Sequence, residues 1–443
     1  MTGTPLSASK PMNTDTTHAM QILATRLADD AVIRAAVSDA DALDAGMSWD
    51  GRNLGDGHAG VSMALFEATL STGIDFDREA MAHLRSAVQL SNTAPFTSLG
   101  LFDGAAGLAA AMAERSIVDE RLLPSARRFH QVVVTQLGAG TPPPGSGFAD
   151  GSPHDVISGT AGQLLYLSAI PRAVCGPDDR AVASGLMDVL ADLLQAGTSV
   201  TEAFTVDRRY FMPGSTYEAL STGDFVDLGT AHGVAGIALA LASAAKRFGA
   251  QPVVIDQLRR MRDWLLDTAV PDPSGCLQWP RGLEVHGSVT MPSTGSVCAW
   301  CFGSSGPAVA LLRIAELLDD ESSASAMQAS IESNVEAFIS TPTTDSSLCH
   351  GAAGMLVLHS LTSGGTTVPS TRWAANDALL VSRILQSIDA DAPFGIVSAG
   401  LDGRPLHDPT FLMGAAGTLA TIAGRTRDAH PIWHRYFTGA PNE

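Results

Sequence analysis

The sequence predicts an all-α protein, an α/α toroid of about seven helix pairs arranged as inner and outer layers. Three observations carry this expectation. A Gly-x-x-Gly pattern that leads into an apolar run occurs seven times along the 443 residues. Each copy is followed by about ten apolar or small residues. Between these runs lie stretches that carry their charges on one face only.

The copies begin at Gly57, Gly104, Gly159, Gly233, Gly303, Gly351 and Gly414, with successive separations of 47, 55, 74, 70, 48 and 63 residues. One glycine pair means little, because glycine is common where helices start. Seven at comparable spacing mark an internal repeat. The runs that follow, such as IALALASAA after Gly236 and MLVLHSL after Gly354, are apolar nearly all round, as helices buried on every side must be. Arg180 to Gln195 and Val254 to Asp267 instead read as amphipathic outer helices. Glycine at a helix start lets backbones approach closely and leaves free N–H groups there. An open solenoid would need polar capping repeats, and none is evident, so closure into a ring is expected.

Composition narrows the class further. Hydrophobic residues make up 45% of the chain, enough for a large core, so disorder is excluded. Lys and Arg number 27 against 46 Asp and Glu, a net charge of −19 with no basic run, which disfavours nucleic acid and anionic membranes as partners. No apolar run approaches the ~18 residues that a membrane span requires. The polar first eighteen residues lack the apolar stretch of a signal peptide and are expected to be a flexible tail, leaving 19–443 as one domain in a cytoplasmic protein. Residues 199–227 and 275–296 are expected to be loops or small extended inserts. The cysteines (Cys175, Cys276, Cys298, Cys301 and Cys349) are sparse and odd in number, as free or metal-bound thiols would be.

Because the repeats are equivalent, a position counted from the first glycine of each copy should map to one end of the ring. Cys301 and Cys349 stand two residues before it in adjacent repeats, and His232, His350, Asp56 and Asp103 stand one before it. Cys301, Cys349 and His350 therefore form a three-ligand set of soft donors suited to zinc, with a fourth position open as at catalytic sites. Cys298 makes a Cys-x-x-Cys with Cys301 and leaves a closed four-ligand site as an alternative. His232 is a candidate general acid or base. Asp155, four before Gly159, is either its carboxylate partner or an N-cap. His58, Asp56 and Asp103 are expected to be helix caps, Trp264 and Trp279 core, and His430, Pro431, Trp433 and His434 tail packing.

With Trp300-Cys301-Phe302-Gly303, Cys349-His350-Gly351 and Ala231-His232-Gly233 in this order among seven Gly-x-x-Gly copies, the chain resembles the lanthionine synthetase C-like family from about residue 20 to the end. The resemblance implies a zinc-dependent cyclase that adds cysteine thiolates of a precursor peptide to dehydroalanine or dehydrobutyrine, forming thioether rings. It implies zinc on Cys301, Cys349 and His350, catalysis by His232 and Asp155, and work beside a separate dehydratase and an export or modification complex. Three departures stand out. Phe302 occupies the place of the family's usual Tyr, Val297 that of an Arg, and Gly303-Ser304-Ser305-Gly306 that of Gly-x-Pro-Gly. Two other functions remain open from the residues. A toroid could bind peptide or thiol without catalysis, which the missing Arg and Tyr would suit. A hydrolase would need two facing carboxylates, and Asp155 alone is well placed.

Overall fold

The computed structural model describes residues 14–44, 46–140, 154–194, 197–211, 218, 221–286, 289–292, 298–363, 369–399, 404–426 and 431–440. Val297 and His430 lie outside the described residues. The helices are α1 (Thr14–Leu27), α2 (Asp30–Val37), α3 (Ala40–Asp44), α4 (His58–Thr72), α5 (Asp77–Thr93), α6 (Ala105–Val118), α7 (Leu123–Gly138), α8 (Thr160–Ala169) and α9 (Asp179–Asp192). They continue as α10 (Val200–Phe204), α11 (Val234–Phe248), α12 (Pro252–Asp267), α13 (Ser305–Leu317), α14 (Glu321–Ser340), α15 (Ala352–His359), α16 (Ser370–Gln386), α17 (Ala415–Gly424) and α18 (His434–Thr438). The protein is a mostly helical toroid with a few short strands, as the repeat predicted.

Each Gly-x-x-Gly opens an inner helix: α4, α6, α8, α11, α13, α15 and α17. Burial separates the two layers. All ten residues of α8 and all eight of α15 are buried. Outer helix α12 buries only Val254, Leu258, Met261 and Leu265, a single stripe at helical spacing. The second glycine of the motif has a steric cause. A Cβ on Gly354 would sit 2.1 Å from the Leu348 carbonyl oxygen, and one on Gly417 1.9 Å from that of Phe411. Only glycine lets the loop fold back onto its own helix so closely. The fifth copy differs: Gly303 has φ +85°, in the left-handed region, and its helix begins at Ser305.

Closure is written in the backbone. The residue two before the first glycine of each copy is hydrogen-bonded to the neighbouring copies around the ring; in the third copy Ile157 accepts and the preceding Val156 donates. Gly55 N–H donates to Phe102 O (2.8 Å) and Phe102 N–H to Ile157 O (3.0 Å). Val156 N–H donates to Ala231 O (2.9 Å), Ala231 N–H to Cys301 O (3.1 Å) and Cys301 N–H to Cys349 O (3.2 Å). Cys349 N–H then donates to Leu412 O (2.9 Å), and Leu412 N–H returns to Gly55 O (3.0 Å). Inner helix α17 packs on α4 across the same seam.

The seventh outer position is filled from the other end of the chain. Helix α1 packs on α17 and α4 through Thr16, Ala19, Met20, Leu23, Ala24 and Leu27. It starts at Thr14, inside the stretch expected to be a tail. The Thr-rich start hid a stripe that only the docked helix reveals. The other chain end enters the bore. Phe437 on α18 contacts Phe102, Trp300, Phe411 and Trp433, and Trp300 Nε1–H donates to Phe437 O at 3.0 Å. The expected tail packing at Trp433 and His434 is thus an aromatic plug under the loop ring.

The intervals expected to be loops or extended inserts pair with each other. β1 (Asp224–Asp227), β4 (Gly282–His286) and β5 (Val289–Pro292) form an antiparallel sheet in the order β1-β4-β5, with Asp227 opposite Gly282. Two-residue strands β2 (Val270–Pro271) and β3 (Leu277–Gln278) make a second pair, and β6 (Ser398–Ala399) with β7 (Pro405–Leu406) a third. Trp279 is buried, as expected, and its backbone N–H donates to Ser304 Oγ at 2.5 Å, tying this insert to the fifth repeat.

Candidate metal centre and acid–base pair

The hydrogen-bonded ring decides which side chains meet. Cys301 and Cys349 are consecutive members of it, so their thiols rise from one end of the toroid beside His350. One ligand atom from each of Cys301, Cys349 and His350 lies within 4.8 Å of the others. Cys298 does not join them. Its thiol lies 3.9 Å from Asn334 Oδ1, and burial pushes it up to about 11. The set is therefore three donors, and the alternative with Cys298 as fourth ligand is not what the geometry forms.

Two thiols and an imidazole suit a borderline-soft ion of zinc's kind. The second nitrogen of His350 is already engaged, with Nδ1 3.2 Å from Asp345 Oδ2, an arrangement that orients metal-binding imidazoles. Asp345 in turn accepts the Ser347 N–H at 2.8 Å. Burial works against charge on His350, but Cys349 and then Asp345 raise it to about 10. Within the thiol pair, the hydrogen bond from Cys301 holds Cys349 well down, while burial holds Cys301 well up. The starts of α13 and α15 add their positive helix ends beside the sulfurs, which further favours thiolate.

His232 faces this group from the fourth repeat. Its Nδ1 lies 2.6 Å from Asp155 Oδ2, with the carboxylate fully enclosed and the imidazole 34% exposed. The other oxygen of Asp155 accepts the N–H groups of Ser158 (2.8 Å) and Gly159 (2.9 Å). Asp155 is not the N-cap of α8, whose cap is Gly159 without a side-chain bond; one oxygen closes the turn before the helix and the other engages His232. Burial lowers the basicity of His232, yet Asp155 outweighs it, and the imidazole is raised to about 9.

Other expectations are corrected. Asp56 and Asp103 do not cap helices: α4 and α6 start without a side-chain cap. Asp56 instead bonds Ser48 (2.6 Å) and Asn53 (3.0 Å), and Asp103 accepts from Ser98 at 3.1 Å. His58 is not a cap either, because its ring meets His83.

Arg281 is a residue that sequence reasoning missed. Its guanidinium carbon stands 3.8 Å above the centroid of Phe302, whose ring is tilted against that of His350 at 5.7 Å. Its charge acts on Cys301, and its Nε is buried with no hydrogen-bond partner among the described residues. Strand pairing puts it there: the Leu228 N–H donates to the Arg281 carbonyl at 3.2 Å, just where β1 runs into the fourth repeat. The aromatic ring that replaces the family's usual Tyr thus serves as a platform for a cation.

Fold and site together describe a helical toroid that gathers a Cys-Cys-His set and an Asp-His pair at one end. The sequence matches the family described as lanthionine synthetase C-like protein over residues 48–438, and the chain belongs to that family. Among solved structures it is similar to one titled nisin cyclase, with a TM-score of 0.69, 18% identity, and coverage of 92% of this chain and 96% of that one. No curated protein matches the sequence significantly.

Proposed function

We propose that the protein is a zinc-dependent cyclase that closes thioether rings in a dehydrated precursor peptide. The observation that carries this reading is the open three-donor set of Cys301, Cys349 and His350 beside the Asp155–His232 pair, in a chain of this family. Zinc, when bound to these three residues, supplies Lewis acidity that turns a substrate cysteine into a thiolate near neutral pH. The reaction adds S–H across the Cα=Cβ bond of dehydroalanine or dehydrobutyrine. A C–S bond forms at Cβ and a proton arrives at Cα, with no net oxidation.

The protein's own residues manage the charge. His232, raised to about 9, is imidazolium at neutral pH and donates the proton to Cα, while Asp155 fixes the ring and supports its charge. Negative charge develops on the carbonyl next to Cα, and Arg281 on Phe302 is the cation placed to meet it. The exposed edge of His232 gives the peptide its approach. A separate dehydratase would supply the unsaturated substrate.

The test is metal analysis of the protein beside Cys349→Ala, followed by thioether formation on a dehydrated peptide. Zinc bound at the thiols, lost in the variant, together with ring closure faster than the spontaneous reaction supports the cyclase. Zinc without acceleration favours a non-catalytic peptide- or thiol-binding toroid. Absence of zinc in protein prepared without chelator overturns both the metal set and the mechanism.

A further inference from the structure

A second cluster of metal-ligating side chains lies in the first repeat, outside the thiol site. His58 is the first residue of α4, and His83 lies in the middle of outer helix α5. Their Nδ1 atoms are 2.9 Å apart, and both rings are buried. One atom of each, together with a carboxylate oxygen of Asp30 at the start of α2, falls within 4.8 Å of the others. We propose that Asp30, His58 and His83 form a second divalent-metal site, of an ion that prefers imidazole to thiolate, which clips the N-terminal helices to the toroid.

Four features fit a ligand set. Two nitrogens each ~2.0–2.1 Å from one tetrahedral zinc-class ion stand ~3.3 Å apart, so the observed pair would open by only a few tenths of an ångström to share one. The His83 Nε2–H donates to Leu27 O at 3.2 Å, which fixes the tautomer and leaves the Nδ1 lone pair facing His58. Burial lowers both imidazoles, His58 to about 4 with His83 adding to the effect, while Asp30 opposes it at both, so both are neutral and able to ligate at pH 7. An open surface groove of about 590 Å³, lined by Asp29, Asp30, Arg34, Phe76 and Glu79, would let an ion approach from the carboxylate side. Arg34, ion-paired with Asp30, is the group the metal would displace.

The site would join α2, α4 and α5, with α1 held through Leu27. Helices α1 and α2 precede residue 48, where the match to the family begins. The clip would therefore tie a segment outside the family match to two histidines inside it, and its chemistry is independent of the thiol centre. A three-donor His₂Asp set would take zinc, cobalt or nickel.

Cobalt(II) titration of the metal-free full-length chain separates the two sites, because only the thiolate set gives intense sulfur-to-cobalt absorption in the near ultraviolet. The expected result is two equivalents, one of them without that absorption. His58→Gln and His83→Gln should each abolish the second equivalent, and Asp30→Asn should weaken it about tenfold or more. The sulfur band and ring closure should stay unchanged in all three. Asp30 is partly exposed, so its variant should fold even where a buried histidine substitution does not. A single equivalent carrying the sulfur band would overturn the proposal and leave a hydrogen-bonded histidine pair. A second equivalent that survives His58→Gln, His83→Gln and Asp30→Asn would overturn it equally. Loss of the sulfur band alone would count against the thiol centre and not against this one.

Discussion

On one side of the loop ring, repeats four to six place Ala231-His232, Cys301-Phe302 and Cys349-His350 ahead of the glycine. On the other, repeats seven, one and two place Leu412-Met413, Gly55-Asp56 and Phe102-Asp103 at the same two positions. The backbone is continuous through both halves, with equivalent hydrogen bonds. The chemistry is not. The first half holds a coupled thiol pair, and imidazoles that neighbouring negative charge raises. The second holds carboxylic acids raised by burial, Asp56 and Asp103, with Asp408 reaching about 6. Asp155 lies between them and engages His232, as Asp345 engages His350. Two side-chain positions per repeat therefore distinguish the halves on a scaffold that the glycines build alike, the left-handed Gly303 apart.

That contrast can be broken from its reactive side first. His232→Ala should slow ring closure by ~10²–10⁴-fold while bound zinc is retained, measured by mass spectrometry of the product and metal analysis. In the wild type, turnover should be level at neutral pH and fall as pH rises through about 9, since the protonated imidazole is the active form. Asp155→Asn removes the group that raises His232, so the descending limb should move to lower pH. An unmoved limb would remove His232 from the role of acid.

Next in size is the cation. Arg281→Gln should lower kcat by about 10²-fold, with Arg281→Lys recovering part of it and zinc content unchanged in both. Were Arg281 only packing on Phe302, the variant would shift Tm and leave kcat alone. Asp345→Asn should act on the metal, weakening zinc about 10–100-fold in competition with a chelator.

The smallest effect on turnover belongs to the acidic half. Asp408→Asn should leave ring closure unchanged but alter stability. A buried acid held at about 6, against 3.8 when exposed, contributes stability that is full below 3.8 and lost as pH rises through 6. The variant's stability relative to wild type should therefore rise across that window, by roughly 1–3 kcal/mol, as read from denaturant melts at pH 4 and pH 7. A drop in ring closure would mean that the acidic half takes part in the reaction.

Much of the reactive half was legible because the repeat supplies a coordinate. Counting back from glycine placed Cys301, Cys349, His350 and His232 at one end of the ring before any distance was known. Asp345 carried a comparable signal, six residues before Gly351, where Asp227 and Asp408 hold the same place before their glycines. Arg281 carried none. It lies in an insert outside the repeat register, and only the pairing of β4 with β1 brings it over Phe302. His58 showed its position but not its partner, since His83 sits on an outer helix whose rotation is set by packing.

The sequence by itself determined the helical repeat, the layer to which each helix belongs, and the loop position that each reactive residue shares. Those follow from local rules, namely glycine sterics and the width of an apolar stripe. Tertiary structure alone decided which backbone groups close the ring, that α1 supplies the seventh outer helix, that α18 plugs the bore, and that Arg281 faces the thiols. Each of these joins segments far apart in the chain, and such contacts depend on how complementary surfaces dock once the helices exist.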